Sequence, residues 1–320
     1  MVYIEELCLS GACHRGIMYV GSFKYLEEIG LLKKSKLKRV IGTSIGSFVL
    51  ACYISGYTIN ELVSMILDID FKIFKDWVSE ITVNLFNGLT FKAWVKKCLS
   101  KYLPNDITIS DFYKKTGIDF TIVMVSLENG LIYASYKNKP NMTLLSAVLA
   151  SMNFPFVFPP FETSDGLSKD IYVDGGLLDN FAIHLLGPRA IGLTSVKKQR
   201  TLTDITSPFS YFIKMTELVG SLVRDLRRPH SEYIIEIYSN DSEIVDFDLN
   251  RDDKITLYKL GYNSTKNSHI IDKFICDFYI NLFNKVLEEL TIVSLFYKFN
   301  KISTNLQQYV QQYEKKVENM

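Results

Sequence analysis

The segment Gly42-Thr43-Ser44-Ile45-Gly46 constrains this chain more than any other feature. It follows the apolar run Val40-Ile41 and precedes the helix-like run Phe48-Val49-Leu50-Ala51-Cys52. A strand, a sharp turn and a helix are therefore predicted, with Ser44 at the apex. Such a turn raises the hydroxyl and brings the N-terminus of the next helix beside it. A serine oxygen becomes a nucleophile once a base takes its proton and dipoles receive the developing charge. The motif also stands early in the chain. Ile4 to Leu9 is the one candidate strand ahead of it, whereas several strands precede the elbow of an α/β-hydrolase.

The neighbouring sequence sets the fold class. Ile17, Val20, Phe23, Leu26 and Ile29 recur at helical spacing, and Gly30 is a natural stop. Thr58-Ile59-Asn60-Glu61 is a capping box that opens another helix. Strand, helix, strand, helix in that order indicates an α/β sheet with crossover helices. Phe120 to Leu127 and Leu131 to Tyr136 read as a hairpin around Glu128-Asn129-Gly130. Residues 70–116 are less regular and carry Phe71, Phe74, Trp77, Phe86, Phe91 and Trp94. They are expected to be helical and loop material over one end of the sheet. Residues 277–320 lack glycine and proline and read as a helical extension of a domain spanning 1–276. Phe299, Ile302, Leu306, Val310, Tyr313 and Val317 form a heptad-like seam there.

Composition narrows the setting. A formal net charge of +1 supplies no field for nucleic acid. Five cysteines without regular spacing argue against a disulfide framework and for a reducing, intracellular compartment. No apolar run approaches the ~20 residues of a membrane span. A soluble protein, or one peripheral at membranes, is expected. There is no HExxH, no paired CxxC and no clustered carboxylate motif, so no metal site is expected.

Three further blocks carry chemistry only in combination. Ser10-Gly11-Ala12-Cys13-His14-Arg15-Gly16 joins a strand to a helix, so its backbone N–H groups are able to cup an anion. Ala150-Ser151-Met152-Asn153-Phe154-Pro155-Phe156-Val157-Phe158-Pro159-Pro160 runs from a helix end into a rigid apolar loop. Tyr172-Val173-Asp174-Gly175-Gly176-Leu177-Leu178-Asp179-Asn180 places an aspartate and two glycines after a β-prone run. Each block alone reads as ordinary structure.

Together, and in this order, the four blocks resemble the patatin-like phospholipases. The resemblance covers roughly residues 4–275 and implies a three-layer α/β/α sandwich with a mainly parallel sheet. It implies a lipid acyl hydrolase that uses a Ser–Asp dyad with no cofactor and no triad histidine. Ser44 is then the nucleophile and Asp174 the base. Gly11, Ala12, Cys13, Arg15 and Gly16 form the oxyanion loop, Gly42, Ile45 and Gly46 the elbow, and Gly175 and Gly176 the turn beside the base. The implied partner is a lipid substrate at a membrane surface. The family loop carries glycine where this chain has Ala12 and Cys13. Either the loop stays in β or bridge conformations, or its oxyanion hole is weakened. His184, His230 and His269 all follow Asp174 in the chain, but none lies in a block that fits the family. An acyltransferase on a related sheet, or a catalytically weak lipid- or partner-binding protein, are the other readings.

Overall fold

The computed structural model describes residues 2–78, 84–164, 169–197, 208–226, 231–239 and 246–318. The chain divides into two units, 1–271 and 272–320. The first opens with β1 (Glu6–Leu9), α1 (Ile17–Glu28), β2 (Arg39–Thr43), α2 (Ile45–Ser55) and α3 (Ile59–Asp68). Next come α4 (Leu89–Ser100), α5 (Ile109–Thr116), β3 (Asp119–Ser126), β4 (Gly130–Ala134) and α6 (Leu144–Ser151). It continues through β5 (Phe161–Ser164), β6 (Lys169–Asp174), β7 (Ile191–Lys197), α7 (Pro208–Leu226), β8 (Ile234–Ser239) and α8 (Arg251–Lys266). The helix α9 runs from His269 to Glu318 and makes up the second unit from Asp272 onward. The seam side chains Phe299, Ile302, Leu306, Val310, Tyr313 and Val317 lie outside the described residues.

Strands β3, β2, β1, β7 and β8 are parallel neighbours in that order. Strands β4 and β6 pair antiparallel with β3, and β5 pairs antiparallel with β6. The central strands are buried on both faces. Leu7, Cys8 and Leu9 have no exposed surface. That is why these strands read as continuous apolar runs and not as alternating ones. Cys8, Ile41 and Val123 point to one face and pack under Ala182, Ile183, Leu186 and Ala190. The mainly parallel α/β fold anticipated from the sequence is the fold of the first unit.

Helices α1 and α8 cross with their backbones in contact. A Cβ atom on Gly21 would fall 2.0 Å from the Tyr258 carbonyl oxygen, and one on Gly261 would fall 1.8 Å from that of Met18. Hydroxyls fill the crossing: Thr265 Oγ1 donates to Ser22 Oγ at 2.8 Å, and Ser22 Oγ to the Gly261 carbonyl at 3.2 Å. The capping box at Thr58 is formed with Glu61 and opens α3. The β3–β4 hairpin closes with Ser126 in register with Gly130. Two local boundaries differ from expectation. The first strand begins at Glu6, and residues Cys13–Gly16 wind into a 3-10 turn before α1.

The topology locates the site. From β1 the chain goes to β2 on one side and later returns to β7 on the other. The carboxyl ends of strands at such a switch point form a crevice. The loop after β1 and the turn after β2 both open there.

Candidate active site

Ser44 sits between β2 and α2 with φ 52° and ψ −128°. A positive φ is uncommon for a residue with a Cβ and persists only where surrounding structure enforces it. Two glycines make that possible. A Cβ on Gly42 would fall 2.5 Å from Ser47 Cα, and one on Gly46 would fall 2.7 Å from the carbonyl oxygens of Leu9 and Ser10. The turn is thus clamped against the ends of both β1 and α2. Ser44 N–H donates to Ser151 Oγ at 2.8 Å, and Ser151 Oγ donates to the Val123 carbonyl at 2.6 Å. The last residue of α6 therefore ties the elbow to β3.

Asp174 ends β6. Thr43 is in register with Val123, and Asp174 with Met124, the next residue of β3. This single strand brings the elbow and the aspartate to the same place. Ser44 Oγ donates to Asp174 Oδ2 at 2.6 Å, and Gly176 N–H donates to Asp174 Oδ1 at 2.7 Å. Asp174 N–H donates to the Asn153 carbonyl at 2.9 Å, and Asn153 Nδ2 donates to the Tyr172 carbonyl at 3.2 Å. Asp174 is 3% exposed. Burial pushes its pKa up to about 6, against the opposing pull of the Ser44 and Gly176 hydrogen bonds. Gly175 starts a 3-10 turn that carries the chain away from the site.

The loop after β1 lies directly against Ser44. A Cβ on Gly11 would stand 3.2 Å from Ser44 Cβ. Asn180 braces this loop twice: Gly11 N–H donates to its carbonyl at 3.1 Å, and its Nδ2 donates to the Gly11 carbonyl at 3.0 Å. Ser10 anchors the loop from below through Tyr19 OH at 2.6 Å and the Thr194 hydroxyl at 3.2 Å. Ala12 keeps a negative φ of −153° with ψ 5°, whereas Cys13 has φ 49°. The left-handed turn that glycine would supply is therefore carried by Cys13, at a backbone cost of about 1–2 kcal/mol. Arg15 is buried, and its Nε and Nη1 have no hydrogen-bond partner among the described residues. Gly16 makes room for the Ile45 side chain, which would otherwise sit 2.4 Å from a Cβ.

Ser44 and Asp174 open into a largely apolar pocket. Its wall is aromatic: Phe48, Phe74, Phe91, Trp94, Phe158 and Phe247 line it. The rings form one connected cluster. Trp94 stands 5.1 Å from Phe48 and 5.4 Å from Phe74, and Phe91 stacks on Phe158 at 4.6 Å. The irregular aromatic stretch after residue 70 thus supplies much of this wall. Phe247, which joins from a distant loop, had no sequence signal as a wall residue. Neither did the bracing roles of Ser10, Ser151 and Asn153, since serine and asparagine are frequent in turns.

No histidine among the described residues hydrogen-bonds to Ser44 or Asp174. His184 Nε2 is 3.8 Å from Asp179 Oδ2, whose carboxylate also accepts from Tyr133 OH at 2.6 Å. His269 is exposed, and His230 lies outside the described residues. His14 lines the pocket, and its Nδ1 accepts a 3.0 Å hydrogen bond from Asp246 N–H.

Known proteins share this architecture. The chain is similar to VipD from Legionella pneumophila, with a TM-score of 0.58 and 14% identity over 85% of this chain and 67% of that one. It is 28% identical to the uncharacterized protein YqhO of Bacillus subtilis over 83% of this chain and 97% of YqhO. It is 26% identical to the probable lipid hydrolase 463L of Invertebrate iridescent virus 6 over 66% of this chain and 72% of that protein. The family model for Patatin-like phospholipase matches residues 7–186, more than half of the chain, and takes in the β1 loop, the serine elbow and the Asp174 turn. With the mainly parallel sheet around them, these matches establish that the chain belongs to the patatin-like phospholipase family.

Proposed function

We propose that this protein hydrolyses fatty-acyl esters of lipids by a Ser44–Asp174 dyad. The observation that carries the reading is the 2.6 Å hydrogen bond from Ser44 Oγ to Asp174 Oδ2 at the mouth of an aromatic pocket. Ser44 Oγ attacks the ester carbonyl as its proton passes to the Asp174 carboxylate. The oxyanion is received by backbone N–H groups of the loop at Ala12 and Cys13 and by that of Ile45, at the start of α2. Arg15 holds a buried positive charge in the same loop and lowers the energy of negative charge there. Collapse of the tetrahedral intermediate expels the alcohol, which takes the proton back from Asp174. Water then attacks the acyl-enzyme as Asp174 accepts one of its protons, and collapse of the second tetrahedral intermediate releases the fatty acid and expels Ser44 Oγ, which takes that proton back from Asp174. A base with a pKa near 6 is ionised at neutral pH yet still basic enough to act.

The pocket supports a hydrocarbon substrate, because aliphatic chains gain free energy on leaving water for an apolar wall. All five cysteines carry thiols, which favours an intracellular setting. No helix among the described residues is long and apolar enough to cross a membrane, so the protein is expected to meet lipid from the aqueous side. Incubation with a fluorophosphonate probe and a panel of phospholipids, lysophospholipids and neutral glycerides tests the proposal. The probe is expected to label Ser44, and Ser44→Ala to abolish both labelling and fatty-acid release. Labelling at another residue, with activity retained in the alanine variant, would overturn it.

A further inference from the structure

Helix α7 carries an apolar stripe at the surface. Tyr211, Met215, Leu218, Leu222 and Leu226 recur at helical spacing and form one stripe. Such a stripe ordinarily turns toward the core. Here every member is exposed, from 44% at Met215 to 83% at Leu226. The stripe extends for about 22 Å at 1.5 Å per residue.

The same helix touches the active site. It packs against the turn Gly175–Leu177 that follows Asp174. Its Phe212 ring stands 4.5 Å from the ring of Phe156. Phe156 is 45% exposed and is held at φ 65°, a strained conformation for an aromatic residue. Its carbonyl accepts from Leu85 N–H at 2.8 Å, and its neighbours Phe154, Val157 and Phe158 line the pocket. Phe156 and Phe212 thus link the pocket wall to the exposed stripe. A long-chain ester leaving a lipid aggregate for the pocket would follow apolar surface along this route.

We propose that the α7 stripe is the surface by which this protein lies on a lipid bilayer, sunk to the boundary of the acyl chains. The assignment rests on the reading of the site as a lipid hydrolase. The occupant is a lipid surface because the stripe is continuous with the cavity that takes the acyl chain. Lys214, Glu217, Arg224 and Asp225 give the helix two charges of each sign. Binding is therefore driven by apolar burial and is expected on zwitterionic lipid, with little response to salt.

The test uses the full chain and phosphatidylcholine vesicles in a sedimentation assay. Wild type is expected to bind, with less than about a twofold change between about 0.15 and 0.5 M salt. The double variant Leu218→Asp/Leu222→Asp is expected to lose at least about tenfold in vesicle partitioning, since charge on an interfacial face opposes burial. Its hydrolysis of soluble p-nitrophenyl butyrate is expected to stay within about twofold, since neither residue lines the pocket. If the double variant fails to fold, Leu226→Asp alone is expected to weaken vesicle binding by about threefold, its side chain being mostly exposed. Equal vesicle binding by wild type and variant would overturn the proposal. So would a wild-type dimer that the variant dissolves while neither binds vesicles, because the stripe would then be a self-interface. Failure of wild type to cleave any ester would sink the hydrolase reading; vesicle sedimentation tests the docking surface separately.

Discussion

Ser44 Oγ donates to Asp174 Oδ2 across 130 residues of sequence, and β3 is what joins them. Val123 takes the residue before Ser44 into register, and Met124 takes Asp174 itself. Ser44 and Asp174 therefore share one rigid support, and their separation is set by backbone pairing. That support also reaches the elbow through Ser151, which bridges Ser44 N–H to the Val123 carbonyl.

The proposed dyad makes turnover depend on pH through Asp174. In that mechanism ionised Asp174 accepts the serine proton, and burial raises its pKa to about 6. kcat/KM for a neutral ester is expected to rise tenfold per pH unit below about 6 and to level off above it. A profile that stays flat down to pH 4.5 would remove Asp174 as the base.

Asp174→Asn separates activity from stability. Loss of the base is expected to lower kcat by about 10³–10⁴. The folded-state pKa lies above the unfolded value, so the fold favours the protonated acid. That contribution is present at acidic pH and is lost as pH rises toward and through about 6. An asparagine never ionises and avoids this penalty. The variant is expected to be more stable than wild type at pH 8, by on the order of 2–3 kcal/mol, and to show little gain at pH 4. Denaturant melts at both pH values measure it, and an equal shift at each would contradict the argument.

Ser151→Ala removes the acceptor for Ser44 N–H. A buried donor left without a partner costs about 1–3 kcal/mol. The elbow also loses its tie to β3, so the serine should sample unproductive positions. Stability is expected to fall by that amount and kcat by about tenfold, while KM for a soluble ester stays nearly constant. Ser151→Thr, which keeps the hydroxyl, is expected to recover part of the rate. A change confined to KM would assign Ser151 to substrate binding.

Cys13 already holds φ 49°, so glycine at this position has no backbone to rearrange. Relief of left-handed strain and the added entropy of the unfolded chain are each about 1 kcal/mol and oppose one another. Cys13→Gly is therefore expected to change stability little and to raise kcat through freer alignment of the loop N–H groups. A lower kcat would show that the cysteine side chain itself orders the loop.

The sequence by itself determined the local geometries. Strand, tight turn and helix around Ser44, the turn at Gly175 and Gly176, and the capping box at Thr58 are each made by a few consecutive residues. Their signals lie in residue type and spacing, because the steric rules behind them act over one or two turns of chain. Alternation of strands and helices likewise disclosed the α/β class.

Only the tertiary structure decided which of these pieces meet. The Ser44–Asp174 contact depends on the register of β3, and strand register is chosen by hydrogen bonds and burial between distant segments. The aromatic wall draws Phe48, Phe74, Trp94, Phe158 and Phe247 from five stretches with no common period. The exposure of α7 had no sequence signature either, since its apolar spacing is that of an inward-facing helix. A periodic pattern states that one face is apolar. What covers that face is settled by the rest of the fold.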